Sequence, residues 1–171
     1  MRYVDLLPLA LVVLAALVVA SIVALAALRS GTASHALRSA GRVLLGGAVL
    51  AVLAMTLATG GFGYRSVNLV PGSGIVSSLG NINHSLGMLN LFGNVVMFAP
   101  IGFLIVLLGR SMPGATALGA GLSLLIEVTQ YVVGRAADVD DVLLNSAGTL
   151  VGAVLATVLV GTWPSRWTTT G

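Results

Sequence analysis

Residues 127–145 read E-V-T-Q-Y-V-V-G-R-A-A-D-V-D-D-V-L-L-N, and this stretch decides the fold. It carries one apolar segment to its end at Gly134, turns through Arg135–Asp138, and opens another apolar segment at Val139. A connection that short makes two consecutive helices antiparallel neighbours. The same stretch holds four of the chain's five acidic residues, in a protein only 8% charged. Carboxylates are costly beside hydrocarbon, so a cluster at the edge of apolar segments needs a specific reason.

Composition points to the bilayer. The chain has 171 residues, is 57% hydrophobic and has a mean hydropathy of +1.07, which excludes an ordinary soluble domain. A hydrocarbon core about 30 Å thick takes about 20 apolar residues per helix. Five segments fit: Val4–Leu28, Ala40–Thr59, Asn90–Gly109, Gly114–Gly134 and Val139–Gly161. The first is too long for a signal-peptide core and reads as a retained helix. All are continuously apolar and lack the period-two alternation of a β-barrel. The expected fold is therefore all-α, a polytopic membrane bundle of about five helices. The interruption Gly60–Leu89 is rich in Gly, Ser and Asn and contains Asn68-Leu69-Val70-Pro71. It has few charges, so part of it is expected at the interface or folded back between helices.

The net charge of +3 comes from eight arginines, with no lysine. They are scattered, which argues against a nucleic-acid partner. Alternating helices put Arg29, Arg38, Arg42, Arg110 and Arg166 on one side and Arg2, Arg65 and Arg135 on the other. The positive-inside bias makes the first side cytoplasmic. The expected orientation in the bacterial inner membrane is N-terminus outside, C-terminus inside, acidic stretch outward. Cysteine is absent. Neither disulfides nor thiolate metal sites are available.

Helix rise of about 1.5 Å per residue places Glu127 about 10 Å and Gln130 about 6 Å below the outer edge. Asn94 and Asn145 each lie about one turn inside their own segments. Asn90/Asn94, Glu127/Gln130 and Asp141/Asn145 share helix faces through i,i+4 or i,i+3 spacing. Three helices thus contribute to one polar layer. Glu127 could simply hydrogen-bond Asn145 or Asn94 as packing glue, or it could handle protons or bind a ligand. Asp138, Asp140 and Asp141 suit a helix N-terminus, but one suffices as a cap, leaving others for another task. Arg135 could anchor its helix at the headgroups or bind a phosphate or carboxylate. D-V-D-D lacks a full calcium-loop pattern, and His35 and His84 follow no ligand spacing; neither a metal nor a cofactor is expected. Pro100 should kink the third span. Gly148-x-x-x-Gly152 is a close-packing pattern, read here as contact within the chain.

Asn68-Leu69-Val70-Pro71, Asn94-Val95-Val96-Met97-Phe98-Ala99-Pro100-Ile101-Gly102-Phe103, Ser123 with Glu127 and Gln130, and Arg135 followed by Asp138-Val139-Asp140-Asp141, Asn145 and Gly148 occur in that order. Together they resemble the VanZ family of small bacterial membrane proteins. The pattern covers roughly the last two thirds of the chain; the first apolar segment lies outside it. The resemblance implies a family-like membrane domain over residues 40–163. A first transmembrane helix and cytoplasmic loop over 1–39 precede it, and a short polar tail over 164–171 follows. The family is named for a protein associated with low-level resistance to the glycopeptide teicoplanin, and no catalytic residues carry over from it.

Three functions compete. Asn94, Glu127, Gln130, Arg135, Asp138, Asp140, Asp141 and Asn145 could line a pocket for a lipid headgroup, a lipid-linked envelope precursor or a glycopeptide. Glu127 or Asp141 could instead serve as acid/base in an enzyme acting on a lipid-linked substrate, with Arg135 clamping a phosphate. The polar layer could also serve only to fix helix packing.

Overall fold

The computed structural model describes residues 34–58, 63, 65–80 and 84–161. The segment Val4–Leu28, with Arg2, Arg29 and the tail 164–171, lies outside the described residues. The order is α1 (Ser34–Ala58), β1 (Val67–Asn68), α2 (Ser73–Gly80), α3 (His84–Leu107), α4 (Met112–Val132), β2 (Ala137–Asp138) and α5 (Val139–Gly161).

The chain is an α-helical membrane protein. Among the described residues, Arg38–Leu57, Met112–Val132 and Val139–Leu159 are each long and apolar enough to cross a bilayer, and Leu91–Leu107 is a shorter apolar stretch. The distribution of side chains agrees. Leu118, Leu124, Leu125, Leu150, Leu155 and Val158 face outward, while Asn94, Ser123, Glu127, Gln130, Asn145 and Thr149 are buried. Polar groups inside and apolar groups outside are what hydrocarbon demands, since it offers no hydrogen bonds of its own.

Two elements depart from the sequence reading. The interruption Gly60–Leu89 contains a short helix, α2, and a strand whose Val67 and Asn68 pair in parallel with Ala137 and Asp138. Neither element has a hydropathy signature, because each consists of a few residues held by distant partners. Elsewhere the spans shift only at their ends. The start of α4 is set by Ser111, whose side chain accepts from the amide of Gly114, with Pro in the first turn. Its end is set by Gly134, at φ +89°, a region that favours glycine. Helix α3 continues on both sides of Pro100.

Glycine sets the closest approach. A Cβ on Gly148 would run into the carbonyl of Val95, and one on Gly152 into that of Ala99. From the other side, a Cβ on Gly102 would strike the backbone of Thr149. The Gly148-x-x-x-Gly152 pattern is thus the seam between α5 and α3 of the same chain. Around it Ala48 and Val52 of α1, Phe98, Ile101 and Ile105 of α3, Ala115 and Ile126 of α4, and Ala153 of α5 form one apolar cluster.

The helices alternate in direction. Thr56, near the end of α1, meets Gln130 and Arg135 at the end of α4. Gly41, near the start of α1, faces Leu108 just after α3. Arg38, Arg42 and Arg110 therefore gather at one end of the bundle, and Arg135 and the aspartates at the other.

Gly148→Ala or Gly102→Ala should destabilise the detergent-solubilised protein by about 1–3 kcal/mol, the usual cost of overpacking. Gly46→Ala is the control, because a Cβ there meets nothing within 4 Å. Thermal unfolding of the three variants checks this; equal midpoints would remove the seam's role.

Candidate functional site

The site grows from the turn between α4 and α5. Asp138 Oδ1 accepts from the amide of Asp140 at 2.9 Å, so Asp138 caps α5. Both its carboxylate oxygens also accept from Asn68 Nδ2, at 3.1 and 3.0 Å. Asp140 faces the other way. Its Oδ1 accepts from the amide of Gly72 at 2.6 Å, and its Oδ2 from those of Gly74 at 2.7 Å and Ile75 at 3.1 Å. It thereby caps α2, a helix more than sixty residues earlier in the chain. Gly74 allows that approach, since a Cβ there would lie 3.0 Å from Asp140 Oδ2 and 2.9 Å from Asp138 Oδ2.

Asn68-Leu69-Val70-Pro71 supplies the other half of this joint. Asn68 Oδ1 accepts from the amide of Val70 at 3.2 Å, closing an Asx turn, and Asn68 Nδ2 reaches Ser73 Oγ at 2.8 Å. Gly72, at φ +86°, carries the chain from that turn into α2. The two motifs are one hydrogen-bonded structure. Neither explains the other until both are seen.

Deeper in the bundle the polar layer divides. Glu127 Oε2 accepts from the amide of Asp138 at 2.8 Å, so its partner is neither Asn145 nor Asn94. Asn94 Nδ2 donates to Asp141 Oδ1 at 2.7 Å. Asn145 Nδ2 donates to Ser123 Oγ at 2.8 Å, and Thr149 Oγ1 donates to the Asn145 carbonyl at 2.9 Å. Gln130 Nε2 and Arg135 Nη1 both donate to the carbonyl of Thr56. That carbonyl is in the last turn of α1, where unpaired carbonyls and the helix dipole favour a cation. Arg135 thus ties α4 to α1.

Beside the turn lies an open groove of about 260 Å³. Leu124, Val128 and Tyr131 of α4, Val67 of β1 with Leu69 just after it, and Val139 and Val142 of α5 form its walls, which are almost wholly apolar. Glu127, Asp138 and Asn68 also line it. Arg65 stands over Tyr131, its guanidinium carbon 5.8 Å from the ring centroid, and donates to the Val132 carbonyl at 3.1 Å. Of the eight residues singled out from the sequence, Glu127 and Asp138 line this groove; Asn94, Gln130, Arg135, Asp140, Asp141 and Asn145 are not among its lining residues. Sequence reasoning missed Thr56, Gly72, Gly74, Arg65 and Tyr131. Only Asn68 had a signal, through its motif. Among the described residues, no group of three or more His, Cys, Asp or Glu is arranged to hold a metal ion.

The family model for VanZ/LLP1 matches residues 12–160. The chain belongs to the VanZ/LLP1 family. The match begins inside the first apolar segment, so it takes in more of this VanZ/LLP1 protein than the motifs quoted above. No curated protein and no solved structure matches the chain significantly.

Asp140→Ala should leave the amides of Gly72, Gly74 and Ile75 without their acceptor and cost about 1–2 kcal/mol, as loss of a helix cap does. The loss should be local. Limited proteolysis should cut residues 65–80 faster in Asp140→Ala than in wild type, and unchanged cleavage would show that α2 is held by other contacts.

Proposed function

We propose that this VanZ/LLP1 protein is an integral membrane protein of the bacterial cell envelope that binds a lipid or the lipid tail of a cell-wall precursor. The groove between α4, α5 and β1 is the observation that carries this reading. Its volume of about 260 Å³ falls below the ~300–1,000 Å³ of pockets that engulf a drug-sized ligand. It suits a length of hydrocarbon chain, with the rest of the molecule outside. Glu127, Asp138 and Asn68 also line it, but its surface is almost wholly apolar, so it is the hydrocarbon part of a ligand that the groove suits.

Arg135 favours binding over acid/base catalysis with a phosphate clamp, because its guanidinium is engaged on the Thr56 carbonyl and is not part of the groove lining. The family's link with teicoplanin fits the same reading. A protein that holds an envelope precursor at the outer face of the cytoplasmic membrane alters what a glycopeptide meets there. The arginines support that placement, with the Arg38, Arg42 and Arg110 end inside by the positive-inside bias, the N-terminus outside and the C-terminus inside.

Leu124→Trp should fill the groove and lower the amount of lipid that co-purifies, measured by mass spectrometry of the extracted protein. Leu155→Trp, on an equally exposed face of α5, should leave it unchanged. Equal lipid content in both variants removes the groove as a binding site. If wild type protects a susceptible host against teicoplanin, Leu124→Trp should lose that protection. Orientation has a separate readout: a periplasm-active reporter fused to the C-terminus should be silent, and activity there would invert the arrangement.

A further inference from the structure

The groove has a direction. Leu124, Val128 and Tyr131 share one face of α4, at i, i+4 and i+7, and the span ends at Val132. Leu124 is therefore the deepest of the three in the bilayer, and Tyr131 lies in the last turn, at the level of the headgroups. Helix α5 runs the other way and brings Val142 to the deep part and Val139 to the shallow part. From Leu124 to Tyr131 the groove follows the span for about 10 Å. One leaflet contributes about 15 Å, half of a hydrocarbon core of about 30 Å. The groove also opens sideways, because Leu124 is 56% and Val128 52% exposed. Its apolar wall runs on into the lipid-facing side of the helix, so a lipid chain can enter from the bilayer.

Arg65 stands at the shallow end. Its guanidinium lies over the Tyr131 ring and donates through Nη2 to the Val132 carbonyl. The backbone is pinned on both sides of it. The Gly63 amide donates to the Gly134 carbonyl at 3.1 Å, and the Ala137 amide to the Ser66 carbonyl at 2.9 Å. An exposed loop arginine is thereby fixed over the mouth of the groove. A guanidinium has five N–H donors, and Val132 takes one of them. Among the described residues no carboxylate pairs with it. Arg135 is no rival, being engaged on Thr56. The lining carboxylates are held elsewhere, Glu127 by the amide of Asp138 and Asp138 by Asn68.

Apolar walls leading up to a fixed cation complement a molecule with a hydrocarbon tail and an anionic head. The guanidinium fork matches phosphate oxygens. A zwitterionic headgroup brings its own ammonium, which Arg65 repels. We propose that the groove selects an anionic phospholipid, whose phosphate pairs with Arg65 while one chain lies along Leu124, Val128 and Val142. The inference rests on the groove reading above and adds to it a headgroup class and a specificity-determining residue.

The test titrates the full chain, in neutral detergent, with phosphatidylglycerol or with phosphatidylcholine carrying the same chains, and reads bound lipid by native mass spectrometry. Wild type should prefer phosphatidylglycerol by about fivefold, as expected of one partly exposed ion pair. Arg65→Gln should bring that ratio to about one, and Arg65→Lys should keep part of it. If Arg65→Gln does not fold, wild type alone decides, since added salt should erode the ratio. A ratio near one in wild type, a ratio that salt leaves unmoved, or one that survives Arg65→Gln overturns the proposal. A lower thermal midpoint in Arg65→Gln with the ratio unchanged also overturns it, and leaves Arg65 as a support for the end of α4. Leu124→Trp separates this result from the groove reading, because it should weaken both lipids together. If both bind wild type equally and both weaken in Leu124→Trp, the groove stands and only the charge selection is lost. If neither binds wild type better than Leu124→Trp, the groove reading fails and this inference with it.

Discussion

Asp140 accepts three backbone amides from the start of α2, and the polar end of this protein is organised around that contact. A carboxylate held by several N–H donors forms charge-assisted bonds, stronger than neutral ones. It brings Asn68 within reach of Asp138 and allows β1 to lie beside β2. Asp138 in turn offers its amide to Glu127. Remove the joint and the strand that forms one wall of the groove has no anchor. The groove and the buried polar layer are therefore two sides of one structure.

The constraint beneath this is the bilayer. Hydrocarbon accepts no hydrogen bonds, so every polar group inside a span must find its partner in the protein. The chain meets that demand pairwise: Asn94 with Asp141, Asn145 with Ser123, Gln130 and Arg135 with Thr56. The same need explains the glycines. Helices α3 and α5 gain little from burying apolar surface against each other in lipid, so close backbone approach through Gly102, Gly148 and Gly152 supplies the packing. Among the described residues, Asn145 Oδ1 is the buried side-chain atom that departs from the pattern.

Of the four later spans, α4 and α5 were legible within a few residues and α1 except at its start, which lies earlier at Ser34, because apolar runs and turn residues are local properties. So were α3 and the reading of Gly148-x-x-x-Gly152 as a contact within the chain. The polar layer was legible by depth: Asn94, Glu127, Gln130 and Asn145 are all buried. Its partners were not. Three aspartates beside one helix start looked like an excess of caps, when one of them caps a different helix. Arg135 was read as a headgroup anchor or an anion ligand, when the last turn of α1 was waiting for it.

The sequence by itself determined that this is an α-helical membrane protein, roughly where its helices run, and that its polar residues gather at one end. Those follow from hydropathy and helical period, which involve residues within a turn or two of one another. Tertiary structure decided which donor each acceptor receives and where a groove opens. Asp140 and Gly72 are 68 positions apart, and Arg135 and Thr56 are 79 apart. No local pattern encodes such a pairing, because it exists only once the loop after α1 has docked against the turn between α4 and α5.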